Sequence, residues 1–312
     1  KHEPLIFKEV NSSSTGWTSL DGKPLQPMPM PSMYEAKEKI KEHSETYGMP
    51  KLYGTTNYVH QFIYDKFPDD IQFDMKMINI VNFDIEVASD DGFPDPESAA
   101  YPIISIALKS SKESIYHVWG LGKYYPNNSE LDLNGNMVKY RQCDSEAELL
   151  GKFMTYWTNH WPDVITGWNS RFFDIPYLIN RITKLAGEDV AKRISPWNLI
   201  EMREINRFQL KQQAYNIIGI QQLDYLELFK KFGYSYGNQE SYRLDHIAYV
   251  VLGEKKLSYE EYGKLHTLYK ENHQKFIDYN IKDVQLVDRL DAKMGLIALA
   301  YTMAYKAGVN IS

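Results

Sequence analysis

The sequence predicts an α/β (α+β) fold in which one mixed sheet is flanked by helices and follows a smaller, β-rich N-terminal domain. Three observations carry this. Ile78–Val87 (INIVNFDIEV) is β-branched and mostly apolar, as expected of a core strand. Two further strand-like runs, Pro102–Leu108 and Ser114–Val118, follow it closely and predict a meander. Beyond residue 145, strand-like and helix-like stretches alternate, an order that builds one sheet with helices packed on it. The pattern changes near residue 76, so residues 1–75 read as a partial N-terminal domain and 76–312 as the α/β domain.

In the first part, Thr15–Lys23 reads as a strand, a turn at Asp21-Gly22 and a second strand. Pro24–Pro31 (PLQPMPMP) is proline-rich and reads as an extended linker. Ser32 then caps a charged helix over Met33–Tyr47. In the second part, Lys123–Val138 holds Asn127-Asn128 and Asn134-Gly135 and reads as loop and turn. Ser145–Trp157 has helical periodicity, with Ser145 and Glu148 spaced as a capping box. Val164–Trp168 is a short strand, and Ile175–Ala186 is a helix stopped by Gly187. Asn206–Leu223 alternates around Gly219 and predicts a hairpin. Leu223–Lys231, Tyr242–Leu252 and the long Asn272–Met294 read as helices, and the apolar run Gly295–Ala304 as a buried one.

Composition narrows the class. Of 312 residues 43% are hydrophobic and 14% aromatic, enough for a true core over most of the length. A single cysteine, Cys143, rules out an intrachain disulfide and suits a reducing compartment. No apolar run is long enough to cross a bilayer as a helix, which predicts no membrane partner. The chain begins with Lys rather than Met, so it reads as starting inside a longer one. A net charge of −6 argues, taken alone, against nucleic-acid binding.

Three short segments carry the chemistry. In NFDIEV, Asp84 and Glu86 share one face of a strand while Phe83, Ile85 and Val87 take the other. Two adjacent carboxylates on an apolar strand repel unless a divalent cation neutralises them, and Mg²⁺ or Mn²⁺ prefers such oxygen ligands. The plain alternative is a solvated acidic edge. In GWNSRFFDIPYLINR, Asp174 stands just before a helical run, and its plain alternative is a helix cap. In YNIKDVQL, Tyr279 and Asp283 share a helix face beside an apolar stripe of Phe276, Ile277, Ile281, Val284 and Val287. Alone, that pair is no more than the border of an amphipathic helix.

In this order the three segments resemble the three exonuclease motifs of the DEDDy group, which has a ribonuclease-H-like core. The fuller strings VNFDIEV, TGWNSRFFDIPYLINR, LDYLELFKKF and YNIKDVQLV are similar to the proofreading domain of family B DNA polymerases, those of T-even-type phages above all. The likeness is close over Met77–Ser312 and looser over the N-terminal piece. It implies a 3′–5′ exonuclease acting on the 3′ end of single-stranded DNA. It further implies that Asp84, Glu86 and Asp283 hold one divalent metal ion, Mg²⁺ or Mn²⁺. Asp84 would bridge to a second ion with Asp174 in or near its shell, and Tyr279 would orient the attacking water.

Lys256, in Lys256-Leu257-Ser258-Tyr259, matches a lysine that family members keep near the scissile phosphate; Lys255 is the other candidate, and a solvated loop lysine the plain alternative. Asn169 and Phe173 match positions that contact the single strand, and Phe93 resembles an aromatic that wedges between terminal bases. Core packing is the plain alternative for each. By position, the Asn206–Leu223 hairpin resembles one that helps separate primer from template. The implied partners are the remaining polymerase region or subunit, a sliding clamp and a single-strand-binding protein, in the cytoplasm of an infected host cell. Neither a SLYPS-type nor a DTDS-type segment occurs, so polymerase chemistry is not expected of these residues. The competing functions are a DEDDy exoribonuclease, since sequence does not show what reads the 2′-OH, and a catalytically silent docking module of a split polymerase.

Overall fold

The computed structural model describes residues 2–11, 16–46, 51–54, 58–67, 69, 72–89, 92–207, 210–258, 260–263 and 265–311. The chain divides into two compact units, Lys1–Phe73 and Asp74–Ser312.

The first unit comprises β1 (Leu5–Glu9), β2 (Trp17–Thr18), β3 (Pro24–Pro29), α1 (Met33–Glu45), β4 (Leu52–Tyr53) and α2 (Tyr58–Lys66). Its sheet runs β2-β3-β1-β4 around a small core in which Ile6 meets Ala36 of α1. The expected turn at Asp21-Gly22 joins β2 to β3; Gly22 has φ +77° and donates its N–H to Ser19 O at 2.9 Å. Ser32 caps α1 by accepting the Glu35 N–H, as predicted. Thr15 and Tyr47, the outer limits expected for these elements, lie outside the described residues.

The proline-rich stretch corrects the linker expectation, because Pro24–Pro29 is a paired strand inside the sheet. Met30 donates to Pro4 O at 2.8 Å, so even-numbered residues direct their N–H groups at β1. Pro27 and Pro29 therefore lack donors only on the opposite side, which β2 leaves uncovered beyond Leu25. Proline is tolerated in a strand at such positions.

The second unit begins with a 3₁₀ turn at Met75–Met77, followed by β5 (Ile80–Val87), β6 (Ile103–Ser110), β7 (Ile115–Leu121) and β8 (Met137–Cys143). Then come α3 (Glu146–Asn159), β9 (Val164–Thr166), α4 (Asp174–Ala186), α5 (Glu188–Lys192), β10 (Ile200–Arg207), β11 (Leu210–Ile217) and β12 (Gln221–Gln222). Helices α6 (Tyr225–Phe232), α7 (Leu244–Leu252), α8 (Leu265–Glu271), α9 (His273–Met294) and α10 (Leu296–Ala307) complete it. The main sheet has the order β12-β9-β5-β6-β7-β8. Strands β5, β6 and β7 form the predicted antiparallel meander, while β9 pairs parallel to β5 and β8 parallel to β7. The α/β class with one mixed sheet is as the sequence predicts.

The sheet's alternation sorts its two faces. Phe83 and Ile85 of β5 join Ile106 and Leu108 of β6 against Phe153 and Trp157 of α3 and Ile175 and Ile179 of α4. On the other face Ala107 and Val118 meet Ile277, Ile281 and Val284 of α9. Period-2 strands between period-3.6 helices thus give the layers their hydrophobic seams.

Three further expectations need correcting. The stretch read as loop up to Val138 already contains the start of β8. That strand is the sheet's edge, and its Lys139, Arg141 and Gln142 suit an edge rather than an apolar run. The hairpin spans Ile200–Ile217, not Asn206–Leu223, with Ile200 opposite Ile217 and Arg207 opposite Leu210. Its first strand carries no apolar run, because Glu201 and Arg203 pair with each other along the strand and Glu204 pairs across it with Lys211, all exposed. Gly219 is not at the tip but packs against Pro196, whose Cγ would lie 2.7 Å from an added Cβ. Finally, the Gly295–Ala304 run is helical but buried only at Leu296 and Ile297; Leu299 and Met303 are exposed.

Phe83 anchors the seam behind the strand that carries the acidic pair, so Phe83→Ala should cost about 3–5 kcal/mol in chemical denaturation. A loss below about 1 kcal/mol would show that this face is not close-packed.

Candidate active site

Strand β5 lies between β9 and β6, in the interior of the sheet. This excludes the solvated-edge alternative for Asp84 and Glu86. Both project from the face opposite Phe83 and Ile85, towards α9. Two asparagines set the register of that helix. Asn82 Nδ2 donates to Val284 O at 2.6 Å, and Asn280 Nδ2 donates to Asp84 Oδ2 at 2.7 Å. Two residues of strand advance about 6.8 Å and four of helix about 6 Å, so the two bonds match only with α9 antiparallel to β5. The same register brings Asp283 to the pair: one carboxylate oxygen from each of Asp84, Glu86 and Asp283 lies within 4.8 Å of the others.

Asp174 reaches the strand from the opposite element. It is the first residue of α4, after Phe173, and its Oδ1 accepts the Ile85 N–H at 3.0 Å. Its side chain is therefore tied to β5 rather than capping its own helix from the N-cap position. The preceding turn is tight. A Cβ on Gly167 would sit 2.7 Å from Phe83 O, and Asn169 is left-handed at φ +66°. Buried Asp224 holds this turn by accepting the N–H groups of Asn169 (3.2 Å) and Arg171 (3.0 Å), while it also caps α6 through Leu226 and Glu227. An Asp before a helical run signals a cap, but nothing in the sequence reveals its bonds to a turn more than fifty residues earlier. Asn82, Ser105 and Asn280 likewise carry no local signal.

Of the two lysines, Lys256 reaches the cluster. Its Nζ contacts Asp283 Oδ2 and lies 3.2 Å from the Tyr279 hydroxyl, and its backbone N–H is held by Asp245 at 2.7 Å. Lys255 lies over the Tyr249 ring, 5.0 Å from its centroid. Tyr259, the end of that short element, lies outside the described residues. Phe93 is 79% exposed and stands 4.7 Å from the ring of Phe173, which itself packs on the core and on Tyr177. Phe173 thus combines core packing with an aromatic contact at the surface.

Crowding perturbs every acid here. Burial, then Asp174, Asp283 and Glu86, push Asp84 well above the carboxylate range. Burial and Asp283 raise Glu86 to about 8. Burial raises Asp174 to about 7 despite its backbone hydrogen bonds. Burial also raises Asp283, against the pull of Lys256. Burial and Asp283 raise Tyr279, so its phenol stays protonated at neutral pH. Lys256 stays charged because Asp283 and Tyr279 outweigh the effect of burial. Yet, among the described residues, Asp283 Oδ1 is buried with no hydrogen-bond partner. A set of oxygen-only ligands with an unsatisfied buried carboxylate oxygen fits a divalent cation.

Residues 56–247 match the model of the family described as DNA polymerase family B, exonuclease domain. The chain belongs to that family, and its mixed sheet with helices on both faces agrees with the ribonuclease-H-like fold. Among its relatives, the DNA-directed DNA polymerase of Escherichia phage RB69 is 34% identical over the whole chain, and that of Enterobacteria phage T4 is 32% identical over 99% of it. DNA polymerase 1 of Saccharolobus solfataricus is 29% identical over 71% of the chain. The chain spans 36% of the length of each of the two phage relatives. The family match includes Asp84, Glu86 and Asp174 but ends before Lys256, Tyr279 and Asp283, which the fold brings to the same place.

Without metal, Glu86 and Asp174 hold protons more tightly in the folded chain, at about 8 and about 7, than at their ordinary 4.5 and 3.8. The stability they contribute is full below the lower values and lost as pH rises through the upper ones. In EDTA the thermal midpoint should therefore fall between pH 6 and pH 8. If Mn²⁺ binds the ionised carboxylates, the fall should shrink or reverse when it is added. Calorimetry at both pH values would test this, and a midpoint in EDTA that rose with pH would contradict it.

Proposed function

We propose that residues 76–312 form a 3′–5′ proofreading exonuclease domain and residues 1–75 a partial N-terminal domain of a phage family B DNA polymerase. The substrate would be the 3′ end of single-stranded DNA. The observation that carries this is the convergence of Asp84, Glu86 and Asp283 within 4.8 Å, with one Asp283 oxygen unsatisfied. Family membership supplies the reaction class.

Asp84, Glu86 and Asp283 would hold one Mg²⁺ or Mn²⁺, and Asp84 with Asp174 a second. When bound, such ions offset the carboxylate charge, acidify water and stabilise the departing 3′ oxygen. The chain's own groups do the rest. Tyr279, protonated and buried, orients water by hydrogen bonding rather than removing its proton. Lys256 keeps a positive charge beside Tyr279 and Asp283, where a phosphate oxygen gains from it. Phe93 and Phe173 offer a stacking surface, worth about 1–3 kcal/mol per base and indifferent to base identity, as an editing site requires. Asn169, in its left-handed turn next to Phe173, is assigned to the strand's backbone. The β10–β11 hairpin is assigned to separating the strand from its template. The rest of the polymerase is the expected partner, in the cytoplasm of the infected cell; a sliding clamp and a single-strand-binding protein rest on the resemblance alone. Among the described residues no helix is long and apolar enough to cross a membrane.

With end-labelled substrates and Mg²⁺, stepwise loss from the 3′ end of single-stranded DNA is expected, abolished by EDTA. It should drop at least about 100-fold in Asp84→Ala/Glu86→Ala, the scale on which electrostatic stabilisers act. Preference for RNA would move the assignment to a ribonuclease, and absence of cleavage together with absence of Mn²⁺ binding would move it to a docking module. Shortening the β10–β11 hairpin should spare single-strand cleavage and weaken attack on duplex ends. Equal loss on both substrates would remove the hairpin from this role.

A further inference from the structure

In the Tyr279–Asp283 segment the three intervening side chains diverge. Ile281 enters the core under the sheet, and Lys282 turns to Glu254 at 3.0 Å. Asn280 points into the sheet and is fully buried at 0% exposure. A buried amide is costly unless both ends are bonded, and here both are. Its Oδ1 accepts the Ser105 hydroxyl at 2.7 Å, and its Nδ2 donates to Asp84 Oδ2 at 2.7 Å. Ser105 stands opposite Glu86 on β6, so the serine, the asparagine and the acidic pair occupy one face of two neighbouring strands.

We infer that Asn280 is a positioning residue for Asp84, with Ser105 anchoring the far end of its amide, so that Asp84 Oδ2 is held and Oδ1 is presented to the divalent cation. This rests on the metal-binding reading proposed above. Among the described residues, Asn280 provides the only hydrogen bond to the Asp84 carboxylate. Without it the carboxylate could rotate about its terminal bond, and the two oxygens would exchange roles. The donor is neutral, which matters. A cationic donor in the same place would compete with the metal for the carboxylate's charge, as Lys256 does at Asp283 Oδ2. The acceptor-only carboxylate decides which end of the amide meets it, and the Ser105 hydroxyl, which can donate or accept, donates to the carbonyl left over and anchors it. The reverse orientation would place two acceptors against each other.

The test is Mn²⁺ titration of the whole chain by calorimetry for wild type, Asn280→Leu, Ser105→Ala and Asp84→Ala, with cleavage followed against metal concentration. Groups that orient a metal ligand typically change metal affinity by about 10–100-fold. Asn280→Leu is expected to weaken Mn²⁺ binding on that scale, and Ser105→Ala to weaken it less with its fold intact. In both, cleavage lost at low Mn²⁺ should return as Mn²⁺ is raised, with the KM for DNA unchanged. Loss of packing alone would not be rescued by metal. Wild-type affinity in folded Asn280→Leu and Ser105→Ala, alongside lost binding in Asp84→Ala, would overturn the inference while leaving the metal reading intact. Should Asn280→Leu fail to fold, unchanged affinity in Ser105→Ala overturns it alone. Absence of Mn²⁺ binding by the wild type would remove the metal reading and this inference with it.

Discussion

Like charges forced together in a buried corner are the constraint on which the second unit turns. Three carboxylates have oxygens within 4.8 Å of one another, and Asp174 adds its field from α4. At an effective dielectric of about 20, unit charges at that separation repel by about 3.5 kcal/mol per pair. Burial adds to the cost of ionising them. Three responses relieve it: protonation, the ammonium of Lys256, and a divalent cation. The first is visible in the raised proton affinity of Glu86 and Asp174. The second satisfies one oxygen of Asp283 and leaves the other without a partner among the described residues. The third is the response that oxygen-only chemistry favours.

Such a cluster persists only because the surrounding fold over-determines it. Close-packed apolar seams behind β5 and beneath α9 fix both backbones. The bonds of Asn82 and Asn280 then fix the one along the other. On the far side, the Asp174 bond to Ile85 pins the start of α4 to the same strand, and Asp224 stiffens the turn that leads into it. The backbone and packing free energy of the domain thus offsets a local electrostatic cost. Placing reactive groups on a central strand and a long helix, rather than on loops, keeps their geometry rigid.

The net charge of −6 is less of an obstacle to nucleic-acid binding than it first looks. Four of the acids responsible, Asp84, Glu86, Asp174 and Asp283, belong to the site itself, where a bound cation would offset much of the local charge. The groups proposed to meet the strand, Phe93 and Phe173, would act through stacking, which does not depend on a basic surface.

What the sequence determined alone follows from local periodicity and local chemistry. The alternation of NFDIEV places Asp84 and Glu86 on one face, caps at Ser32 and Ser145 start their helices, and the ordered motifs point to the family. These features need only a few consecutive residues to be legible. Strand β8, the first strand of the hairpin and the strand Pro24–Pro29 were hidden because edge pairing and proline placement depend on a neighbour's position, not on composition. Which of Lys255 and Lys256 reaches the carboxylates, the tie from Asp224 to the turn before α4, and the chain from Ser105 through Asn280 to Asp84 were decided only in three dimensions. Each joins residues tens to nearly two hundred positions apart, and hydrogen bonds at that range leave no periodic trace in the sequence that makes them.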